Sequence, residues 1–237
     1  MQRVLDIDLD FFLSDCCYPA PLGCRPDDTE AAPWTAEAAV RFLEEQCGLR
    51  ADQPLPGRIF ETHDGALTFW QERMDDKSLS VPFWVTHVDA HSDLGIGKPG
   101  PNFVLYNVLA RPPSARAAIG EYYALQQLDE ANYLLFALAF RWIGGLDNVR
   151  IPVSHNDVPR QILCNDGTGI CLPQAFPQLF EARNGPEPVV PYRAYSDHRA
   201  FSAEAPYDFV TVAISPRYAP KAADALLPVL SRYIHFL

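Results

Sequence analysis

Between His87 and Leu94 the chain reads HVDAHSDL, which sets two aspartates and two histidines within seven residues. An apolar run, VPFWV (Val81 to Val85), leads directly into it. The segment VLDIDLDFF (Val4 to Phe12) repeats the arrangement with Asp6, Asp8 and Asp10. Side chains alternate along a strand, so Asp6, Asp8 and Asp10 share a face if the strand continues, as do Asp89, His91 and Asp93. Two such triplets on neighbouring strand ends would crowd carboxylates that do not all stay ionised without counter-ions. Divalent cations resolve that conflict. Carboxylate oxygen with imidazole nitrogen suits Mn²⁺, Fe²⁺ or Zn²⁺, and the excess of carboxylate favours Mn²⁺. Any one of these residues also fits a cap or a surface turn; the set as a whole fits a metal site better. His155, His198 and His235 stand alone and are expected to be ordinary surface or packed histidines. SHND (Ser154 to Asp157) carries no signal by itself.

Strands that end in these clusters must position them. RVLDIDL reads as a strand entering the aspartates, followed by a Pro-, Gly- and Cys-rich loop from about Ser14 to Pro33 that is placed to shape the mouth of a site. TAEAAVRFLEEQCG, with Thr35 as cap and Gly48 as stop, reads as a helix. GRIFETHDG reads as a strand with a loop at its end, ALTFWQERM as a helix and VPFWVTHVD as a strand. PNFVLYNVLA reads as a short apolar helix. DEANYLLFALAFRWIGG reads as a buried helix capped by Asp129 and stopped by a glycine pair. NVRIPV and DFVTVAIS read as strands, and APKAADALLPVLSRYIHFL as helix kinked or broken at Pro228. Proline-rich residues between Asn156 and Pro206 read as long ordered loops. Strands alternating with helices predict a single α/β domain over 1–237 with a mostly parallel sheet. In such folds the site lies outside the carboxyl ends of the strands.

The 237 residues, 48% hydrophobic, suffice for a full core without disulfides. A formal charge of −11 disfavours nucleic acid and anionic membrane and favours a cationic partner such as an Arg- or Lys-rich peptide. No leader pattern precedes Asp6. The longest uncharged apolar run, Tyr133 to Phe140, is too short to span a bilayer, so a soluble cytoplasmic protein is expected. The six cysteines contain no Cys-x-x-Cys spacing and are expected to be free thiols. Trp84 and Trp142 are expected in the core.

VDAHSD resembles the Asp-Ala-His-x-Asp motif of the arginase/deacetylase (ureohydrolase-like) superfamily. LDID resembles its Asp-x-Asp motif, and ETHDG its Gly-Asp-His segment. DIDLDFF with HVDAHSDL is more similar still to a bacterial group that includes peptide arginases, which convert arginine residues of ribosomally made precursor peptides to ornithine. The resemblance implies a three-layer arginase-like fold and two Mn²⁺ ions. One ion would take His63, Asp89, Asp93 and Asp6; the other would take His91 and Asp8 with Asp89 and Asp6 as bridges. It also implies a bridging water, deprotonated near neutral pH, that attacks the guanidinium carbon to give ornithine and urea. Asp89 and His91 would thus serve catalysis, with an arginine-containing precursor peptide as partner.

Three departures follow. The Asp-x-Asp motif precedes the other two, which implies a circular permutation. The late strand that carries the guanidinium-binding glutamate in arginases matches AISP here, with Ala213 in its place, so Asp10 is the candidate for that role or a ligand in a shifted register. The proton-shuttle histidine and the carboxylate-gripping residues find no match in GKPGPNFVLYN, where Asn102 is a candidate substrate contact. Alternatives are a deacetylase-like amidohydrolase with one Zn²⁺, a hydrolase of a small guanidine or amidine such as agmatine, and a non-catalytic metal- or peptide-binding protein.

Overall fold

The computed structural model describes residues 1–95, 101–174 and 184–237. Among the described residues the strands of the sheet are β1 (Arg3–Asp8), β2 (Leu55–Phe60), β3 (Phe83–Val88), β4 (Ile143–Val149), β5 (Leu163–Cys164), β6 (Gly169–Ile170), β7 (Val190–Tyr195), β8 (Phe209–Ala213) and β9 (Ile234–Phe236), and apolar β1 and β3 run straight into the aspartates. Their order is β5-β6-β7-β4-β3-β1-β8-β2-β9. Neighbours from β7 to β9 pair in parallel; β5–β6 and β6–β7 are antiparallel. Among the described residues the α-helices are α1 (Ala36–Arg41), continued in wider turns to Gln46, α2 (Gly65–Asp75), α3 (Ile119–Ala124), α4 (Tyr133–Ala139) and α5 (Leu227–Ser231).

Alternation along β1 feeds two separate cores. Val4 packs with Val85 of β3 and with Leu67 and Trp70 of α2 and Leu135 of α4. Leu5 and Ile7 pack on the opposite face with Val210 and Val212 of β8, Phe42 and Leu43 after α1, and Leu230 of α5. The result is the layered α/β fold with a mostly parallel sheet that the sequence predicts. The chain leaves β1, crosses to β2 beyond β8, then returns to β3 on the other side of β1. β1 therefore stands at a topological switch point, where strand ends splay and leave a crevice. Among the described residues no helix is long and apolar enough to cross a membrane.

Thr35 accepts the N–H of Ala38 and Gly48 takes a positive φ, so the first helix starts and stops as expected. The buried helix is shorter than expected. Asp129 caps only the preceding turn, accepting the N–H of Ala131 at 3.2 Å, and Arg141 at φ 62° closes α4. The glycine pair is not a stop but part of β4: a Cβ on Gly145 would lie 2.1 Å from the Trp84 ring, so glycine lets the indole lie across the strand. Asn148 and Val149 end that strand, and the rest of NVRIPV lies beyond it. Pro228 sits in the first turn of α5, where its missing N–H costs nothing, and β9 follows. The proline-rich region contains β7, which sequence periodicity alone did not reveal.

Candidate metal centre

Register places the polar groups. Asp6 of β1 pairs with His87 of β3, so Asp8 and Asp89, two residues further on, leave the same face at the strand ends. The strand does not continue to Asp10. The Asp8 carboxylate accepts the N–H of Asp10 at 2.9 Å and turns the chain into a 3₁₀ turn, Leu9–Phe12, so Asp10 arrives through a turn and not by alternation. After β3, Asp89 accepts the N–H of His91 at 2.6 Å, and Asp93 adopts φ 52°. His63 comes from the loop after β2. That loop is held to the end of β8, with the N–H groups of Ile214 and Ser215 donating to the carbonyls of Phe60 and Glu61 at 2.9 Å. Ser215, at φ 46°, donates its hydroxyl to Asp8. Two left-handed non-glycine residues beside one cavity mark backbone strain held at a polar site.

His63 Nδ1 lies 3.1 Å from one carboxylate oxygen each of Asp8, Asp89 and Asp93. One imidazole nitrogen carries at most one proton and satisfies one of the three. A cation with bonds of about 2.1 Å sets its donors about 3 Å apart and satisfies them all. His91 Nδ1 lies 3.0 Å from Asp10 and 3.5 Å from Asp89. Two groups, His63/His87/Asp89/Asp93 and Asp10/Asp89/His91, are close enough to hold metal ions, and Asp89 belongs to both. Among the described residues the buried Nε2 atoms of His63 and His87 find no partner of hydrogen-bond geometry.

The electrostatics describe a cluster short of positive charge. Burial opposes the His63 imidazolium, yet Asp6, Asp8 and Asp89 hold its pKa well above the usual range. Burial likewise opposes a charged His87, but Asp89 and Asp6 push it up to about 10. Burial and the Asp89 charge raise Asp93 to about 7. Burial, Asp8 and Asp89 raise Asp10 well above the carboxylate range. Protons on the imidazoles and on some carboxyls thus supply the neutralising charge, and an entering divalent ion would displace them.

Asp6 does not belong to the cavity-facing set. It is fully buried beneath the cavity floor, where it accepts hydrogen bonds from Tyr133 and Thr211 and lies 3.3 Å from His63 Nε2 and 3.4 Å from His87 Nδ1. The expected ligand Asp6 therefore sits behind the two imidazoles, because it lies one strand repeat too deep. Asp8 and Asp10 form an overlapping Asp-x-Asp that does face the cavity.

A cavity of ≈ 270 Å³ opens over these donors, and its further walls include Glu130, Asp157, Tyr218 and Pro19. The Tyr218 ring stands 5.1 Å from His91, centroid to centroid. Asp157 accepts the N–H of Ser92 at 2.9 Å, between two candidate ligands. Asn102 is exposed and is not among the described residues of the cavity wall. Part of GKPGPNFVLYN, residues 97–100, lies outside the described residues. Of the residues missed from sequence, His87 had a signal, its i−2 spacing to Asp89 on a strand. Tyr133, Glu130, Asp157 and Tyr218 had none, since long-range folding alone brings them in. His155 and His235 are exposed, and His198 packs among Phe11, Trp34 and Phe42, as expected of isolated histidines. Trp142 is buried; Trp84 is half-buried, between Arg3 and Arg193.

No family model matches the chain, and neither the curated proteins nor the solved structures contain a match to it.

Proposed function

We propose that the protein is a two-metal hydrolase that converts arginine residues of a peptide to ornithine and releases urea, with Mn²⁺ as its metal. The observation that carries this reading is a single cavity whose floor presents His63, Asp8, Asp89 and Asp93 on one side and His91, Asp10 and Asp89 on the other. This is the ligand pattern of the arginase-like resemblance, moved two residues along the first strand. Asp8 takes the place expected for Asp6 at the first ion, Asp89 bridges the two, and Asp10 takes the place expected for Asp8. Asp10 is then a ligand and not the guanidinium-binding acid. Two divalent ions held there would activate water for hydrolysis at neutral pH. The chain's own groups supply the rest. Glu130 and Asp157, outside both donor groups, keep the cavity attractive to a cation after four ligand carboxylates have offset two divalent ions. Tyr218 offers an aromatic face on which a guanidinium can stack.

None of the described wall residues is Lys or Arg. Among the described wall residues a free amino acid's carboxylate finds no cationic partner, which favours an arginine whose backbone is in a peptide. The same observation favours agmatine, a guanidine without a carboxylate, as the second reading. The test is mass spectrometry of an arginine-containing peptide after incubation with Mn²⁺-loaded protein, with free arginine and agmatine in parallel. The reading predicts ornithine in the peptide, urea in solution and free arginine untouched. Agmatine turned over with the peptide unchanged would replace it with the second reading, and no turnover of any guanidine by metal-loaded protein would overturn both.

A further inference from the structure

Beside the cavity mouth two large apolar side chains stand almost wholly in water: Tyr18 and Leu22, each 87% exposed. They flank Pro19, which forms part of the cavity wall, in the segment Tyr18-Pro19-Ala20-Pro21-Leu22. Their backbone is fixed. Two prolines restrict φ within five residues. Ala20 donates its N–H to the carbonyl of Arg217 at 2.8 Å, and Arg217 Nε donates back to the carbonyl of Ala20 at 2.9 Å. Further along, Arg25 binds both carboxylate oxygens of Asp224, at 2.9 and 3.4 Å, and the carbonyl of Ala219 at 3.2 Å. The base of the loop is tied by the Leu13–Pro33 bridge and by Ser14 N–H to Ala32.

A pinned backbone that holds two apolar side chains away from the core does nothing for the fold. It does reduce the ordering cost of binding something apolar at that place. The ledge is also tied to the cavity wall, because Nη1 of Arg217 pairs with Glu130 at 3.1 Å. One ligand satisfies an acidic cavity and an adjoining apolar ledge together: an extended peptide with a cationic side chain in the cavity and apolar neighbours outside it. Side chains of an extended chain are spaced about 3.3 Å per residue, so neighbours within a few positions of the arginine reach the ledge.

We infer that Tyr18 and Leu22 form a docking ledge for apolar residues flanking the arginine of a peptide substrate; the identity of the cationic residue rests on the function proposed above. The test uses two labelled peptides of equal charge, each with one arginine, flanked in one by Leu and Phe and in the other by Ser. Fluorescence anisotropy within seconds of mixing measures their affinity for the Mn²⁺-loaded full chain and for a Tyr18→Ser/Leu22→Ser double variant, and urea release is followed separately. The expected result is about tenfold tighter binding of the apolar-flanked peptide, falling to within about twofold in the double variant, with agmatine handled alike by both proteins. Equal affinities, or a preference that survives in the double variant, would overturn the ledge. Flank-dependent binding without urea release would keep the ledge and remove the arginase reading; urea release without flank dependence would do the reverse.

Discussion

At His63 one imidazole nitrogen faces three carboxylates, while at Asp6 one carboxylate faces two imidazoles, a tyrosine and a threonine. The first environment suits a cation and the second suits an anion that orients ligands from behind. Removing a candidate donor and removing the support of a donor therefore have different consequences. Asp8→Asn should lower the number of Mn²⁺ ions retained per chain. Asp6→Asn should keep the stoichiometry of two but weaken affinity by about 10- to 100-fold, the usual effect of losing a group that orients a metal-bound imidazole. Equilibrium dialysis with metal analysis separates the two outcomes; equal loss of stoichiometry in both variants would return Asp6 to the ligand set. Sequence spacing alone could not decide between the overlapping motifs Asp6-x-Asp8 and Asp8-x-Asp10. The choice depends on where β1 ends and the 3₁₀ turn begins, and that end is set by the Asp8 side chain accepting its own loop's N–H.

Among the elements, the most consequential polar contact outside the site is Arg116 with Glu187. Arg116 is fully buried and donates to both oxygens of Glu187, at 2.9 and 2.7 Å, and to the carbonyls of Leu109, Arg111 and Ala139. It ties the end of α4 to the segment before β7. Burial acts to raise the Glu187 pKa, but hydrogen bonds from Arg116, Arg141 and Gln174 outweigh it and hold it below the usual value. A depressed folded pKa stabilises above the unfolded value, about 4.3, and that stability is lost as pH falls through the folded pKa. Glu187→Gln should cost about 3 kcal/mol at neutral pH, because it leaves a buried guanidinium unpaired. It should also flatten the acid limb of the stability profile. Urea unfolding from pH 7 down to pH 3 checks both, and a variant as stable as the parent at neutral pH would contradict the assignment. This pair shows what was hidden from the sequence. β1, β2, β3, β8, α1 and α2 follow from local periodicity and caps; β4 is met by the strand expected at NVRIPV only in its last two residues, its glycine-containing start depending on Trp84 against Gly145, and β7 is not expected at all. The short β5, β6 and β9 likewise depend on neighbours and not on their own residues.

For the whole molecule, topology explains why chemistry-bearing residues from the beginning, middle and end of the chain converge. β1 at the switch point lies between β3 and β8, so Asp8, Asp89 and Ser215 leave adjacent strand ends, and the loop after β2 brings His63 across β8. With a net charge of −11, this acidic crevice draws in cations, and the six candidate donors become compatible neighbours when divalent ions sit among them. The most direct measurement is anomalous diffraction from crystals of the Mn²⁺-loaded protein. Two anomalous peaks per chain are expected. One should lie within bonding distance of His63, Asp8, Asp89 and Asp93, and the other of His91, Asp10 and Asp89, with Asp6 bound to neither. No peak under metal-saturating conditions, or a peak bonded to Asp6 with Asp10 free, would contradict this assignment.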